Sequence, residues 1–288
     1  MPPRPPPLSP RSLTREQMEQ TPARRDVAIL VVSCDRYQDL WRPFFRCFFK
    51  YWPDCPYPVY LGSNRATYSD PRVRPLLVGD DVDYSSNLLS MLAVIPHDWV
   101  ILWIEDRVLS APVSTERLAA LIRGAQEQDA AYLKLLATHP FAIPDVPSRD
   151  FGELPRGTAY RVCITLALWN KFELLHLLRR GETAWELERN GTKRSNVCRR
   201  RFFALYRRSR HDPPISDEHM IIKGRLIRDA RAFIEREGLM SEVQHRQLQS
   251  FASHWYVKAY TAALDLKAEV TSRLISLSHL IWSRPTEP

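Results

Sequence analysis

The run Trp99-Val100-Ile101-Leu102-Trp103-Ile104, followed by Glu105-Asp106-Arg107 and then Val108-Leu109, constrains this chain more than any other stretch. It is aliphatic and aromatic without alternation, and Pro96 and Pro112 bracket it. Such a run reads as a strand covered on both faces, the kind found in a parallel sheet between helices. Ligands of open α/β sheets bind beyond the carboxyl ends of these strands, which is where Glu105 and Asp106 stand. Two unpaired carboxylates are costly to bury, so a cation or a neighbouring Arg or Lys is expected beside them. A surface turn with two solvated acids is the alternative.

The 288 residues allow one large α/β domain, alone or with a helical region appended. Val27 to Ser33 reads as a buried first strand that ends in the polar cluster Ser33-Cys34-Asp35-Arg36-Tyr37. A helix from about Asp39 carries Leu40, Trp41, Phe44, Phe45, Phe48, Phe49 and Trp52 on a broad apolar face. Val59 to Gly62 is the next strand, ending at Ser63-Asn64. A right-handed β-α-β crossover puts Ser33 to Tyr37 and Gly62 to Asn64 on one sheet edge. There Asp35 suits a base or ribose and Arg36 a phosphate; a capped turn and a surface ion pair are the plainer readings.

Further along, Val73 to Val78 reads as a strand and Asp80-Asp81-Val82-Asp83 as a polar loop. Ser85-Ser86-Asn87 is expected to cap a helix over Leu88 to Ile95, and Ser114 or Thr115 one that runs to about Gln128. Ala131 to Leu136 is a strand ending at His139-Pro140, and Phe141 to Gly157 is a long loop. Tyr160 to Trp169 is strand-like, Asn170 caps the following helix and Gly181 stops it. Glu182-Thr183-Ala184-Trp185-Glu186-Leu187-Glu188 is a second acidic cluster, with Trp185 suited to stacking on a sugar ring.

The net charge of +8 favours anionic partners without choosing among them. Residues 193–210 are dense in Lys and Arg, with Phe202, Phe203 and Tyr206 between them. That pattern suits RNA or DNA, an acidic membrane surface, or a solvated face with some phosphate contact. The last is preferred, because no recognised nucleic-acid signature accompanies the run. Neither GxGxxG nor GxxxxGK[ST] occurs, which argues against a Rossmann dinucleotide site and a P-loop. The five cysteines form no CxxC pair, so no zinc site or disulfide framework is indicated and a reducing compartment fits. With no signal peptide and no apolar run of spanning length, a soluble cytoplasmic protein is expected, with peripheral membrane contact as its limit.

Residues 1–25, rich in Pro and Arg, read as a disordered arm, residues 26–227 as the main domain and residues 228–288 as a helical extension. In the extension Phe251, Trp255, Val257, Tyr260 and Leu264 recur at helical spacing, for packing or for a membrane interface. The lone His219 is either a ligand, a base or neither.

Four segments in order carry a family resemblance: Val32 to Tyr37 (V-S-C-D-x-Y), Trp99 to Leu109 with its Glu-Asp pair, Tyr160 to Asn170 (Y-R-V then L-W-N) and Gly181 to Glu188 (G-E-x-x-W-E-x-E). The chain resembles GT-A type glycosyltransferases over roughly residues 26–225, and more narrowly the bacterial glycosyltransferase-like proteins of polysaccharide gene clusters. The resemblance implies an α/β fold whose central mixed, mostly parallel sheet is flanked by helices, with a C-terminal helical region. It implies transfer of a sugar from a nucleotide-sugar donor to a glycan or lipid-linked hydroxyl acceptor, with no nucleic-acid partner. Ser33, Cys34, Asp35, Arg36 and Asn64 are then expected at the nucleotide. Glu105 and Asp106 are expected at Mg²⁺ or Mn²⁺, in the place of a D-x-D motif, although Arg107 stands where a second acid belongs. Glu186 or Glu188 is expected as the general base of an inverting reaction, and Trp185 and His219 at the acceptor. A non-catalytic basic module acting through residues 193–210 is the competing class.

Overall fold

A computed structural model describes residues 27–137, 142, 149–206, 209, 211–260, 262, 263, 266 and 270. The expected arm at 1–25, His139-Pro140 and most of the C-terminal extension past residue 260 lie outside the described residues.

The chain begins with strand β1 (Val27–Val32), a 3-10 helix (Asp35–Leu40) and helix α1 (Trp41–Tyr51). Strands β2 (Val59–Ser63) and β3 (Val73–Leu77) follow, then helix α2 (Tyr84–Val94) and strand β4 (Trp99–Ile104). Next come β5 (Arg107–Leu109), α3 (Thr115–Glu127), β6 (Ala130–Lys134), β7 (Phe151–Glu153) and β8 (Ala167–Asn170). Helices α4 (Lys171–Leu177) and α5 (Ala184–Ser195) precede β9 (Arg201–Leu205), β10 (Asp217–His219), β11 (Ile221–Ile222) and β12 (Arg225–Leu226). Short helices α6 (Arg231–Arg236) and α7 (Met240–Val243) close the core.

Eight strands form one sheet in the order β3-β2-β1-β4-β8-β6-β9-β7. β3, β2, β1 and β4 are mutually parallel, β8 runs against both β4 and β6, β9 is parallel to β6, and β7 is antiparallel at the edge. The expected mixed, mostly parallel sheet flanked by helices is what the chain forms. Side chains of β1 and β4 alternate between two separate cores, as the period of a strand requires. Val27, Ile29, Val31, Ile101 and Trp103 join the face covered by α1 and α3, whereas Ala28, Leu30, Val32, Val100 and Leu102 join the face covered by α2, α4 and α5. Both faces are covered, which is why these strands read as unbroken apolar runs. On the first face Phe44, Phe48 and Trp103 meet ring to ring at centroid distances of 5.7–5.9 Å.

Several local expectations need correction. The run Trp99 to Leu109 is two strands with Glu105-Asp106 in the turn between, and β5 leaves the main sheet to pair antiparallel with β10. Asp83, whose side chain accepts from Ser86 N, caps α2 one turn earlier than Ser85 to Asn87 would. Only Ala167–Asn170 of the expected strand Tyr160 to Trp169 is regular, and the expected loop contributes β7. The basic stretch supplies β9 to the sheet interior: Phe202 and Phe203 are fully buried, Arg201 pairs with Glu153, and Arg194 pairs with Glu182. Its aromatics are core, so they are not free to stack on bases. The boundary expected at residue 227 falls inside a continuous core, because Ala230, Phe233, Ile234, Leu239 and Val243 pack in the same cluster as β1 and α1. Lys50 and Tyr51 of α1 both bond Glu237, at 2.6 and 2.7 Å. None of the described helices is long and apolar enough to cross a membrane.

Candidate active site

The turn after β4 is fixed from three sides. The Trp103 indole donates to the Arg107 carbonyl at 2.7 Å, Met220 N donates to the Asp106 carbonyl at 2.8 Å, and Arg107 pairs in register with His219. Arg107 is committed to an ion pair with Asp217 on the partner strand, so it does not take the place of a cation between the two acids. The two acids themselves differ. Glu105 is 4% exposed and its Oε2 has no hydrogen-bond partner. Burial first, then the neighbouring Asp106 charge, push its pKa well above the usual carboxylate range, with the Ser33 hydroxyl opposing them. Asp106 is partly exposed, and its Oδ2 lies 3.3 Å from His219 Nε2. The register of β5 on β10 therefore puts His219 in the acid corner. Trp185 is 65% exposed on the first turn of α5.

No group of three or more His, Cys, Asp or Glu side chains is placed to share an ion among the described residues. Asp106 and His219 still offer one carboxylate and one imidazole a short distance apart. That mixed oxygen and nitrogen donor pair suits a divalent transition-metal ion such as Mn²⁺ better than Mg²⁺, which prefers an all-oxygen shell.

On the nucleotide side, Asp35 and Asn64 stitch the ends of β1 and β2 together. The Asp35 carboxylate accepts from the backbone N–H groups of Asn64, Arg65 and Ala66 at 3.0–3.2 Å, and Asp35 N donates to Asn64 Oδ1 at 3.1 Å. The Asp35 carboxylate is thus engaged by three backbone N–H groups of the loop, which is the capped-turn reading of this residue. Asn64 Nδ2 is buried without a partner. Ser33 Oγ accepts from the Trp41 indole at 2.7 Å. Burial, followed by the Glu105 charge, raises the Cys34 thiol pKa. Arg36 is exposed at the start of the 3-10 helix.

Helix α5 separates its two glutamates. Glu186 completes a capping box: its Oε2 accepts from Thr183 N at 2.9 Å and Thr183 Oγ1 at 2.8 Å, while Thr183 Oγ1 accepts from Glu186 N. Its backbone bond from Thr183 lowers its pKa. Glu188, half-buried, turns inward. Its Oε1 accepts from Ile164 N at 3.1 Å, and it lines a cavity of about 500 Å³ with Tyr160, Arg189 and Thr192.

The segment facing Glu188 is strained. Tyr160 and Leu166 hold φ of 52° and 46°, a region non-glycine residues enter at a cost of order 1–3 kcal/mol. Arg161 anchors the segment from inside. It is 2% exposed, donates to the Leu154 carbonyl at 2.9 Å and the Ser195 carbonyl at 2.6 Å, and lies 4.1 Å over the Phe202 ring. Burial lowers its pKa to about 10. Residue pattern alone missed Tyr84, whose buried hydroxyl has no partner. Burial raises its pKa well above the usual phenol range, and the charges of Glu188, Glu105 and Asp106 add to the rise. One phenol therefore senses the acid turn and the α5 glutamate together. The only sequence signal for it was its place at the start of a helix feeding β4.

No family model and no curated protein matches the chain. Among solved structures it is similar to S. aureus TarS residues 1–349, with 10% identity over 63% of this chain and 60% of that one, at a TM-score of 0.41. The TarS 1–349 structure in complex with UDP gives 8% identity over 62% and 60%, also at 0.41. The complex with UDP-GlcNAc gives 10% identity over 85% and 73%, at 0.42. In the first two comparisons the match spans 60% of the TarS chain.

Proposed function

We propose that the chain is a glycosyltransferase of the GT-A type that moves a sugar from a nucleotide-sugar donor to a hydroxyl of a glycan or lipid-linked acceptor, in polysaccharide biosynthesis. The observation that carries this reading is the Asp106–His219 pair, 3.3 Å apart at the turn beyond the carboxyl end of β4, with the Tyr84 phenol close enough to feel the charges of Glu188, Glu105 and Asp106. In this reading Asp106 and His219 would hold Mn²⁺ or Mg²⁺, and the ion would supply charge stabilisation to the departing diphosphate. Ser33, Cys34 and the unpartnered Asn64 amide face the nucleotide. Glu188 takes the proton from the acceptor hydroxyl as that oxygen attacks the anomeric carbon, and the Ile164 N–H holds its carboxylate in place. Glu105 is buried in the turn beside Asp106, with its Oε2 unpartnered.

The test is a thermal-shift panel of UDP-GlcNAc and of GDP-, CMP- and dTDP-sugars, with and without Mn²⁺. A bound donor at 100 times its Kd raises stability by about 2.7 kcal/mol, so at least one donor gives an Mn²⁺-dependent rise in Tm. Asp106→Asn removes the metal dependence. The absence of any shift across the whole panel overturns the reading.

A further inference from the structure

A second concave site lies beside the acid turn and has no role in the preceding scheme. It is a cavity of about 610 Å³ between the 3-10 helix after β1, the β11–β12 hairpin and residues 245–247. Arg36, Lys223 and Arg225 stand exposed at its rim and have no ion-pair partner among the described residues. Asp39 is the one carboxylate lining it among the described residues, and that charge is already used. Arg246 bonds both Asp39 oxygens, Nε to Oδ2 at 2.5 Å and a terminal nitrogen to Oδ1 at 2.6 Å, and His245 Nε2 approaches Oδ2 at 3.1 Å. Arg246 also donates to the Gly224 carbonyl at 3.3 Å, which ties the hairpin turn to the floor. Lys223 and Gly224 make that turn with φ of 49° and 76°, a tight two-residue reversal that thrusts Lys223 and Arg225 to the cavity mouth. Arg246 and Glu105 lie close enough to sense each other's charge, so the cavity borders the acid turn.

Three unpartnered cations around one satisfied carboxylate make a site of excess positive charge. Guanidinium groups match phosphate oxygens bidentately, and a volume of this size admits a diphosphate with part of what it is attached to. We propose that this cavity is a phosphate subsite, in which Arg36, Lys223 and Arg225 grip a diphosphate-class group over a floor made by the Arg246–Asp39 pair. What carries the phosphate rests on the transferase reading: it is the donor diphosphate or a phosphate borne by the acceptor.

The experiment is calorimetric titration of the full chain with inorganic pyrophosphate in chelator-treated buffer, which leaves the Asp106–His219 corner without metal. Saturable binding is expected, weakened about tenfold or more in the double variant Arg36→Gln/Arg225→Gln and unchanged in Arg199→Gln, an exposed basic position elsewhere. The substituted side chains are exposed, and a Tm matching the wild type confirms that the variants fold. No binding at millimolar pyrophosphate, or equal affinity in the double variant and the wild type, overturns the proposal. Repeating the titration with saturating nucleoside diphosphate assigns the source: competition identifies the donor diphosphate, and simultaneous binding identifies a phosphate on the acceptor. Pyrophosphate binding that depends on Arg36 and Arg225, in a chain that no nucleotide-sugar stabilises, leaves the subsite standing and removes the transferase reading.

Discussion

Glu186 and Glu188 sit two positions apart on one helix and do different work. The Glu186 carboxylate is held by Thr183, its own N-cap, and lies at the surface. Glu188 is held from across the chain by Ile164 N and faces a cavity. Glu188→Gln therefore cuts turnover by about 10²–10⁴-fold while leaving the donor-induced rise in Tm intact. Glu186→Gln leaves turnover near wild type and lowers Tm slightly; initial rates with donor and acceptor separate the two variants. From sequence the two glutamates were equivalent, because a capping box and an inward acid both fit the spacing of Thr183 to Glu188. Arg161 was visible in sequence only as a residue of the Tyr160 to Asn170 segment. Its burial against Phe202 and its bonds to two carbonyls make it the positioning residue for the segment that holds Glu188. Arg161→Lys cannot make the same fork of bonds, so kcat falls more than donor KM rises, as steady-state kinetics will show.

At the scale of elements, α5 is tied to itself end to end. Glu182, just before the cap, meets Arg194 in the last turn at 2.6 Å and Asn190 at 2.9 Å. The Arg194 bond leads the interactions that hold the Glu182 carboxyl below its usual value of 4.5. A carboxyl whose pKa is depressed on folding stabilises the folded state above the unfolded pKa, and the contribution fades as pH falls through the folded one. Glu182→Gln is thus expected to cost about 2 kcal/mol at pH 7, with the gap from wild type closing as pH drops below 4.5. Urea titrations at stepped pH measure it. Strands β1, β2, β4 and β6 and the caps Asn170 and Ser114 were legible, since an unbroken apolar run and a side chain accepting from the N2 or N3 amide are local signals. Strand β9 was not, because Arg199 to Arg201 and Arg207 to Arg210 flank it and conceal two buried phenylalanines.

For the whole molecule, residues 228–249 complete the body instead of hanging from it. Phe233 and Ile234 of α6 and Val243 of α7 share a core with β1, and Arg246 reaches back to Asp39. A chain ending at residue 227 exposes that core and is expected to lose its cooperative unfolding transition and its near-UV circular dichroism. A truncated chain that melts cooperatively near the wild-type Tm refutes the placement of residues 228–249 in the core.

The sequence by itself determined the α/β class, the buried central strands and the position of two acids at a strand end, because period and chain direction are written within a few residues. Only the tertiary structure decided what those acids meet. Asp106 and His219 are 113 residues apart, and they face each other because β5 and β10 pair antiparallel in one register. The same long-range packing turns Glu188 inward, fixes Arg107 on Asp217 and gathers Arg36, Lys223 and Arg225 around one cavity. Such contacts depend on how distant elements dock, and no local pattern specifies that.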